Sequence, residues 1–481
     1  MAVSPQSATL AQTAAAQIGA VLGRQRAALL ASEHPSADVR IDRITRAINL
    51  LLENRTALAD AASADFGNRS REQTLLADIG SAVTALRHSR EHLREWMQPE
   101  LLQAPFEGTD ARVEYQPLGV VGIVSPWNFP VTLAFGPVAG AFAAGNRIML
   151  KPSELTPKVS ALLAELVPRY FAEEEFAVIL GGADVGAAFS AQPFDHLIFT
   201  GSTSVARHIM RAAADNLVPV TLELGGKSPV IVSRTANLRT VVERVLTVKT
   251  FNAGQICLSP DYVLLPVESV DAFVTEATRV VGQMYPTLKD NPDFTSIINP
   301  RNYDRLQGYL ADAREKGALL VEINPAGEDL DDRERRKIAP TLVLGATDEM
   351  QVLQEEIFGP ILPVKTYSDF NEIIGYINAH SRPLAVYYFG EDAAERRQVV
   401  ERTTSGALVV NDAMTHVFIE DLPFGGVGAS GMGAYHGIHG FRTFSHAKPV
   451  FSQSSGGESN LLMRAPYSET TRDSIAAMLG G

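Results

Sequence analysis

The run Gly119-Val120-Val121-Gly122-Ile123-Val124-Ser125-Pro126-Trp127-Asn128-Phe129-Pro130 is a short apolar segment that stops at a loop held between two prolines. Its apolar residues do not alternate with polar ones, the pattern of a strand covered on both faces in a parallel sheet. The chain beyond Pro130 repeats the theme. Segments 148–150, 176–180, 196–200 and 218–222 read as strands, with helical stretches near 157–169, 183–190 and 203–215 between them. Such alternation predicts a doubly wound parallel sheet. A second series predicts a second sheet: strands at 229–233, 261–265, 361–365, 385–389 and 407–410, helices near 238–250, 269–284 and 369–378.

Outward from these two series the texture changes. Residues 8–97 read as helical, with Pro35 the only proline and Ile44, Ala47, Ile48 and Leu51 recurring at helical spacing. Residues 112–115 alternate like a strand. Residues 285–345 carry charge and turn signals, and within them 329–337 is expected to be a solvated face. The Gly-rich stretch 423–433 is expected to be a tight structural loop. The organisation expected is a first α/β unit of 1–98 and 118–224, a second of 225–440, and a small bridging β-element with tail of 99–117 and 441–481.

The chain has 481 residues, 46% apolar and 20% charged, as in ordinary globular proteins. A net charge of −13 leaves no basic surplus to neutralise phosphates, which argues against nucleic acid as a partner. The N-terminus lacks the basic and apolar regions of a secretory signal. The best candidate span, 131–144, is shorter than the about 20 residues a helix needs to cross a bilayer and contains Pro137, so a buried helix is expected. With one cysteine and no signal, the cytoplasm is the expected compartment. The ten histidines show no ligand spacing, so no metal is expected.

That single cysteine lies in Phe251-Asn252-Ala253-Gly254-Gln255-Ile256-Cys257-Leu258-Ser259-Pro260-Asp261-Tyr262. A lone thiol is a buried apolar group, an incidental surface group or a nucleophile. Asn252, Gly254 and Gln255 suit a loop, which favours chemistry. An ordinary thiol is only about 3% ionised at pH 7, so a nucleophile here needs help. Asn128 ends a strand in a proline-fixed loop, where an immobile amide can meet an oxyanion; it could equally cap a turn. Lys151-Pro152-Ser153-Glu154 could hold ribose hydroxyls or merely begin a helix. Phe199-Thr200-Gly201-Ser202-Thr203 could admit a pyrophosphate at a helix N-terminus, although G-x-G-x-x-G is missing. Glu223, between two leucines, suits a general base or pairs with Lys227. Glu356 and Phe358 precede a turn.

Together these motifs, with Leu222-Glu223-Leu224-Gly225-Gly226-Lys227 and Glu356-Ile357-Phe358-Gly359-Pro360, resemble the aldehyde dehydrogenase superfamily over about residues 110–450, in family order. The ending Gly431-Met432-Gly433-Ala434-Tyr435-His436-Gly437 looks like the class 3 branch, and the run around Cys257 looks most like coniferyl-aldehyde dehydrogenases. The resemblance implies oxidation of an aromatic or unsaturated aldehyde to its acid, with Cys257 as nucleophile, Asn128 as oxyanion donor and Glu223 activating the deacylating water. It implies a first unit that binds NAD, with NADP as a possible substitute, through Trp127, Lys151, Glu154, Gly201, Ser202, Glu356 and Phe358. Phe129, Ile256, Leu258 and His416 are expected to line the substrate pocket, and a homodimer or tetramer is expected. Ala206 stands where many members have a second glycine. The alternatives are a medium- or long-chain aliphatic aldehyde as substrate, a cysteine hydrolase using His196, His208 or His416, a coenzyme-A-dependent acylation and a cofactor-binding protein without turnover.

Overall fold

The computed structural model describes residues 5–104, 106, 108–457 and 459–480. Residues 1–4, 105, 107, 458 and 481, which fall at the ends of the first unit and tail and within the bridging stretches, lie outside the described residues.

Two sheets, each parallel except for one antiparallel edge strand, organise the chain. The first has six strands in the order Gly431–Met432, Val220–Leu224, His196–Gly201, Val120–Val124, Arg147–Lys151, Phe176–Val178. Its chain path starts at 120–124, runs outward through 147–151 and 176–178, then crosses back to 196–201. The order therefore reverses between strands 120–124 and 196–201, and such a switch point opens a crevice at the strand carboxyl ends. The second sheet has seven strands in the order Leu319–Glu322, Thr341–Leu344, Ile361–Tyr367, Pro260–Pro266, Ser228–Val232, Ala385–Phe389, Ala407–Val410. A third, antiparallel sheet joins Glu100–Leu102, Thr109–Pro117 and Ser445–Gln453.

The expected apolar strands are buried because helices cover both faces. Helix Thr132–Ala143 is buried through most of its length, Pro137 included, as the helix expected over 131–144. Its Gly140 lies against Gly440, where a Cβ would come within 3.0 Å of backbone. The N-terminal residues form helices Pro5–Leu30, Ala37–Glu53, Arg55–Phe66 and Ser81–Trp96, with a π-helical turn at Thr74–Gly80. That wide turn carries Asp78 inward, and its Oδ1 accepts the N–H groups of Val131 and Thr132 at 3.0 and 2.7 Å. No helix among the described residues is long and apolar enough to cross a membrane.

Three expectations need correction. Region 285–345 is more regular than its charge suggests, holding helix Pro300–Glu315 and strands Leu319–Glu322 and Thr341–Leu344. Stretch 329–337 is exposed at first, but Lys337 is buried because its ammonium donates to the Phe294 carbonyl, while Arg336 donates to the carbonyls of Phe66 and Ile297, both at 2.8 Å. The loop 423–433 contains strand Gly431–Met432, which pairs with Val220–Leu224 in the first sheet and not with the second unit.

Candidate active site

Gly225-Gly226-Lys227 carries the chain straight from strand Val220–Leu224 of the first sheet into strand Ser228–Val232 of the second. The carboxyl edge of one sheet thus faces the amino edge of the other. Asn128, Gly201, Ser202 and Glu223 come from the first edge. Cys257 and Glu356 come from turns that lead into strands Pro260–Pro266 and Ile361–Tyr367 on the second. All six line one cleft of about 960 Å³, together with Trp127 and Phe358.

The cysteine turn is tightly built. Asn252, Ala253 and Gly254 have φ of 50°, 53° and 72°, the left-handed region. For the two non-glycine residues this costs on the order of 1–3 kcal/mol each, so the surroundings must impose it. Gln255 does much of that work: its Nε2 donates to the carbonyls of Asn252 (2.9 Å) and Ser296 (3.1 Å), and its Oε1 accepts from Ile298 N–H at 2.9 Å. Tyr387 Oη donates to the Leu258 carbonyl at 2.6 Å. The thiol is half-buried between this cleft and a separate apolar cavity. Burial, with the negative charges of Glu356 and Glu223, pushes it up to about 12, against the backbone N–H groups of Cys257 and Leu258 that favour the thiolate.

Asn128 is 4% exposed, and its Nδ2 donates one proton to the Gln255 carbonyl at 3.2 Å. Its own carbonyl accepts from Arg69 Nη1 at 2.7 Å and Asn252 Nδ2 at 3.2 Å. Arg69 is fully buried, lies 4.8 Å from the ring centres of Phe66 and Phe129, and faces Asp78 at 3.6 Å. Sequence reasoning missed Arg69 and Asp78, since neither lies in a strand-end motif.

Glu223 is 3% exposed, and neither carboxyl oxygen has a hydrogen-bond partner. The alternative pairing with Lys227 is not formed: Lys227 instead bonds Asp261 and the carbonyls of Val352 (2.8 Å) and Glu355 (2.9 Å). Burial raises the Glu223 carboxyl well above its ordinary range. Behind it, Gly431 pairs with the Glu223 backbone at φ 145°, and a Cβ there would overlap the Leu222 carbonyl.

A second cleft, of about 1300 Å³, continues past Trp127, Thr200, Gly201 and Ser202 to Lys151 and Glu154. Lys151 is buried and bonds Glu154 at 2.7 Å. Burial opposes ionisation of Glu154, but Lys151 outweighs it and holds the carboxyl below its usual range. Ser202 caps helix Thr203–Ala214, its Oγ accepting from Val205 N–H at 3.4 Å, while Ala206 packs inward. Glu356 accepts from Gly226 N–H at 3.1 Å, and a Cβ on Gly225 would overlap its carboxylate. Phe358 and Trp127 meet edge-on at 5.4 Å between ring centres. Hydroxyl acceptors at both ends, a helix N-terminus between them and a glycine cradle fit a dinucleotide.

On the other side of Cys257 an apolar cavity of about 690 Å³ is lined by Phe129, Ile256 and Leu258 and by Phe251, Phe418, Phe424 and Tyr435. His416 is not in that lining. It packs behind Phe424, 6.4 Å between ring centres, and both its ring nitrogens lack partners. The histidine that does line the cavity is His436, two positions before the helical turn's first Ile. Glu420 lines it too. Of the other histidines weighed as partners for the thiol, His196 is buried against Thr221 Oγ1 at 2.9 Å, and His208 lines the dinucleotide cleft.

A thiol, an amide donor and an unpaired buried carboxyl gathered beside a dinucleotide cleft are the parts of a thiol-dependent dehydrogenase. The model of the aldehyde dehydrogenase family matches residues 3–450, and the chain belongs to that family. It is 66% identical to the coniferyl aldehyde dehydrogenase of Pseudomonas sp. (strain HR199 / DSM 7063), over 98% of each chain. It is 37% identical to aldehyde dehydrogenase family 3 member B1 of Rattus norvegicus, over 95% of this chain and 96% of the other. Among solved structures, the substrate-bound state of Staphylococcus aureus AldH superposes with a TM-score of 0.90 at 33% identity, covering 96% of this chain and 99% of that one. The chain is therefore an NAD(P)-dependent enzyme that oxidises aldehydes.

Proposed function

We propose that the substrate is an aromatic enal such as coniferyl aldehyde, converted to its acid through a thioester on Cys257. The observation that carries this reading is the apolar cavity walled by Phe129, Phe251, Phe418, Phe424 and Tyr435 that ends at the thiol. The similarity to a coniferyl aldehyde dehydrogenase supports it.

In this reading the Cys257 thiol gives up its proton to water in the cleft as its sulfur bonds the aldehyde carbon, and the oxyanion that develops meets Asn128 Nδ2 and the Cys257 backbone N–H. A nicotinamide dinucleotide, when bound, supplies the two-electron acceptor and a positive ring charge. Lys151 and Glu154 would hold its adenosine ribose, Gly201 and Ser202 its pyrophosphate and Glu356 its nicotinamide ribose, with Trp127 and Phe358 walling the cleft. Once the carbon is oxidised to the thioester, Glu223 takes a proton from water and the acid leaves. Burial raises the proton affinity of Glu223, which suits a general base. Splitting oxidation from hydrolysis is what the covalent thioester achieves. The unpaired Glu223 favours hydrolysis over acyl transfer to coenzyme A.

NAD is the preferred nucleotide, because Glu154 can accept from a ribose 2′-hydroxyl and repels a 2′-phosphate. The chain works as a homodimer in the cytoplasm; the lone cysteine supports that compartment. The test is a panel of cinnamaldehydes, benzaldehydes and alkanals assayed for kcat/KM with NAD and with NADP. Aromatic enals with NAD should lead; a lead for short alkanals removes the substrate reading, and a lead for NADP removes the role of Glu154.

A further inference from the structure

The aldehyde cavity has two distinguishable ends. It runs along one helix face, where Ala77, Ser81 and Ala85 recur at turn spacing in its wall. Ala77 adjoins Asp78, which binds the N–H groups of Val131 and Thr132 just after the Asn128 loop, so it marks the thiol end. One turn beyond Ala85, His88 Nε2 lies 3.3 Å from Asp421 Oδ1 and beside Gly437. Glu420 and His436, each next in sequence to one of these, mark the far end. Ser81 to Ala85, within helix Ser81–Trp96, spans about 6 Å, and Ala77 lies one turn earlier in the π-helical turn Thr74–Gly80.

Glu420 is the one carboxylic acid among the described residues lining this cavity. Its neighbours there include Val417, Phe418 and Phe424. Its carboxyl receives the backbone N–H of Gly437, which leaves acceptor lone pairs free. An acceptor set in an apolar wall loses its water when a ligand enters, and is penalised unless the ligand returns a hydrogen bond. An alkyl chain returns nothing. A flat ring with a hydroxyl at the end remote from the aldehyde donates there while its faces meet the aromatic walls.

We propose that Glu420 is a specificity-determining residue that accepts a hydrogen bond from a para-hydroxyl on the substrate ring, with the aldehyde at Cys257. This rests on the aromatic reading of the cavity, in which coniferyl aldehyde is already a phenol, and adds the residue that recognises its hydroxyl. The test compares kcat/KM for 4-hydroxycinnamaldehyde, cinnamaldehyde and hexanal in the wild type, Glu420→Gln and Glu420→Leu, with thermal melts of each. Burial pushes the Glu420 carboxyl up to about 7, so the assay is run near pH 8.5, where it is ionised; there the wild type should favour the phenol over cinnamaldehyde by about 10- to 100-fold, the worth of a hydrogen bond to a charged acceptor. That ratio should fall to near one in Glu420→Leu and stay only partly in Glu420→Gln, whose carbonyl still accepts but carries no charge. A wild-type ratio near one, with both enals turned over well, overturns the role of Glu420 and leaves the aromatic reading standing. So does an unchanged ratio in folded Glu420→Leu. If the leucine variant does not fold, a Glu420→Gln ratio equal to that of the wild type overturns the role in the same way. Hexanal preferred over both enals overturns the aromatic reading and Glu420 with it.

Discussion

Replacing Asn128 by Ala isolates the oxyanion donor from the fold. One Nδ2 proton is committed to the Gln255 carbonyl at 3.2 Å, and the other is left for the cleft. Losing a positioned donor of this kind costs about 10²–10³ in kcat, or about 2.7–4 kcal/mol. The structural cost is smaller. The Gln255 carbonyl keeps Asn252 Nδ2 at 3.2 Å, and the Asn128 carbonyl, a backbone group, keeps Arg69 at 2.7 Å. The loss is then one neutral hydrogen bond and a small void, about 1–2 kcal/mol. Steady-state rates at saturating nucleotide and aldehyde, read beside a thermal melt, separate the two effects. The expected result is a kcat lowered by at least about a hundredfold with a melting temperature only a few degrees down. A kcat within about threefold of wild type refutes the oxyanion role. A collapse of the melt refutes the claim that Asn128 is not a structural keystone.

Other positions give sharp expectations. Arg69→Met leaves the Asp78 carboxylate buried with the Arg partner gone, and should destabilise by about 3–5 kcal/mol in a denaturant titration; a loss under about 1 kcal/mol means the pair is energetically idle. Gly225→Ala drives a methyl into the Glu356 carboxylate and should raise the KM for NAD by about tenfold or more, while an unchanged KM detaches Glu356 from the nucleotide. The ligand-free protein should lose stability as pH rises. Burial, with Asp261 nearby, pushes the Glu356 carboxyl up to about 7, so the folded chain keeps a proton that the unfolded chain has released. The stabilisation is complete below the ordinary carboxyl range and gone above about 7. Melting temperatures from pH 5 to 8 should show this fall, and Glu356→Gln should flatten part of it; an identical slope in the variant excludes Glu356 as a source.

Much of this architecture could be read from local pattern. Strands such as 120–124 and 147–151 are buried on both faces, so their apolar runs carry no competing signal. Helix Pro300–Glu315 was obscured by its charge, although Asn299 caps it, Pro300 opens it, and Tyr303, Leu306, Tyr309 and Ala313 form its buried stripe. Cys257, Asn128, Glu223 and Glu356 sit at strand ends, where loops are short and their motifs contiguous. Arg69 and Asp78 act on Asn128 from an N-terminal helical region far away in sequence, and no local pattern links them. His416 and His436 show the same limit from the other side. Both lie in the long excursion 411–436, and only the packing of Phe424 decides that one lines the cavity and the other stands behind it.

The most direct test of covalent catalysis on Cys257 with Glu223 as the deacylating base is rapid mixing of Glu223→Gln with NAD and aldehyde. The substitution keeps size and removes the base from a site where no other group bonds it. The expected trace is a burst of NADH near one equivalent per subunit, then a steady state slowed by about 10²–10⁴-fold, with added acyl mass on the Cys257 peptide. Near-wild-type turnover, or no burst and no adduct, would contradict the assignment.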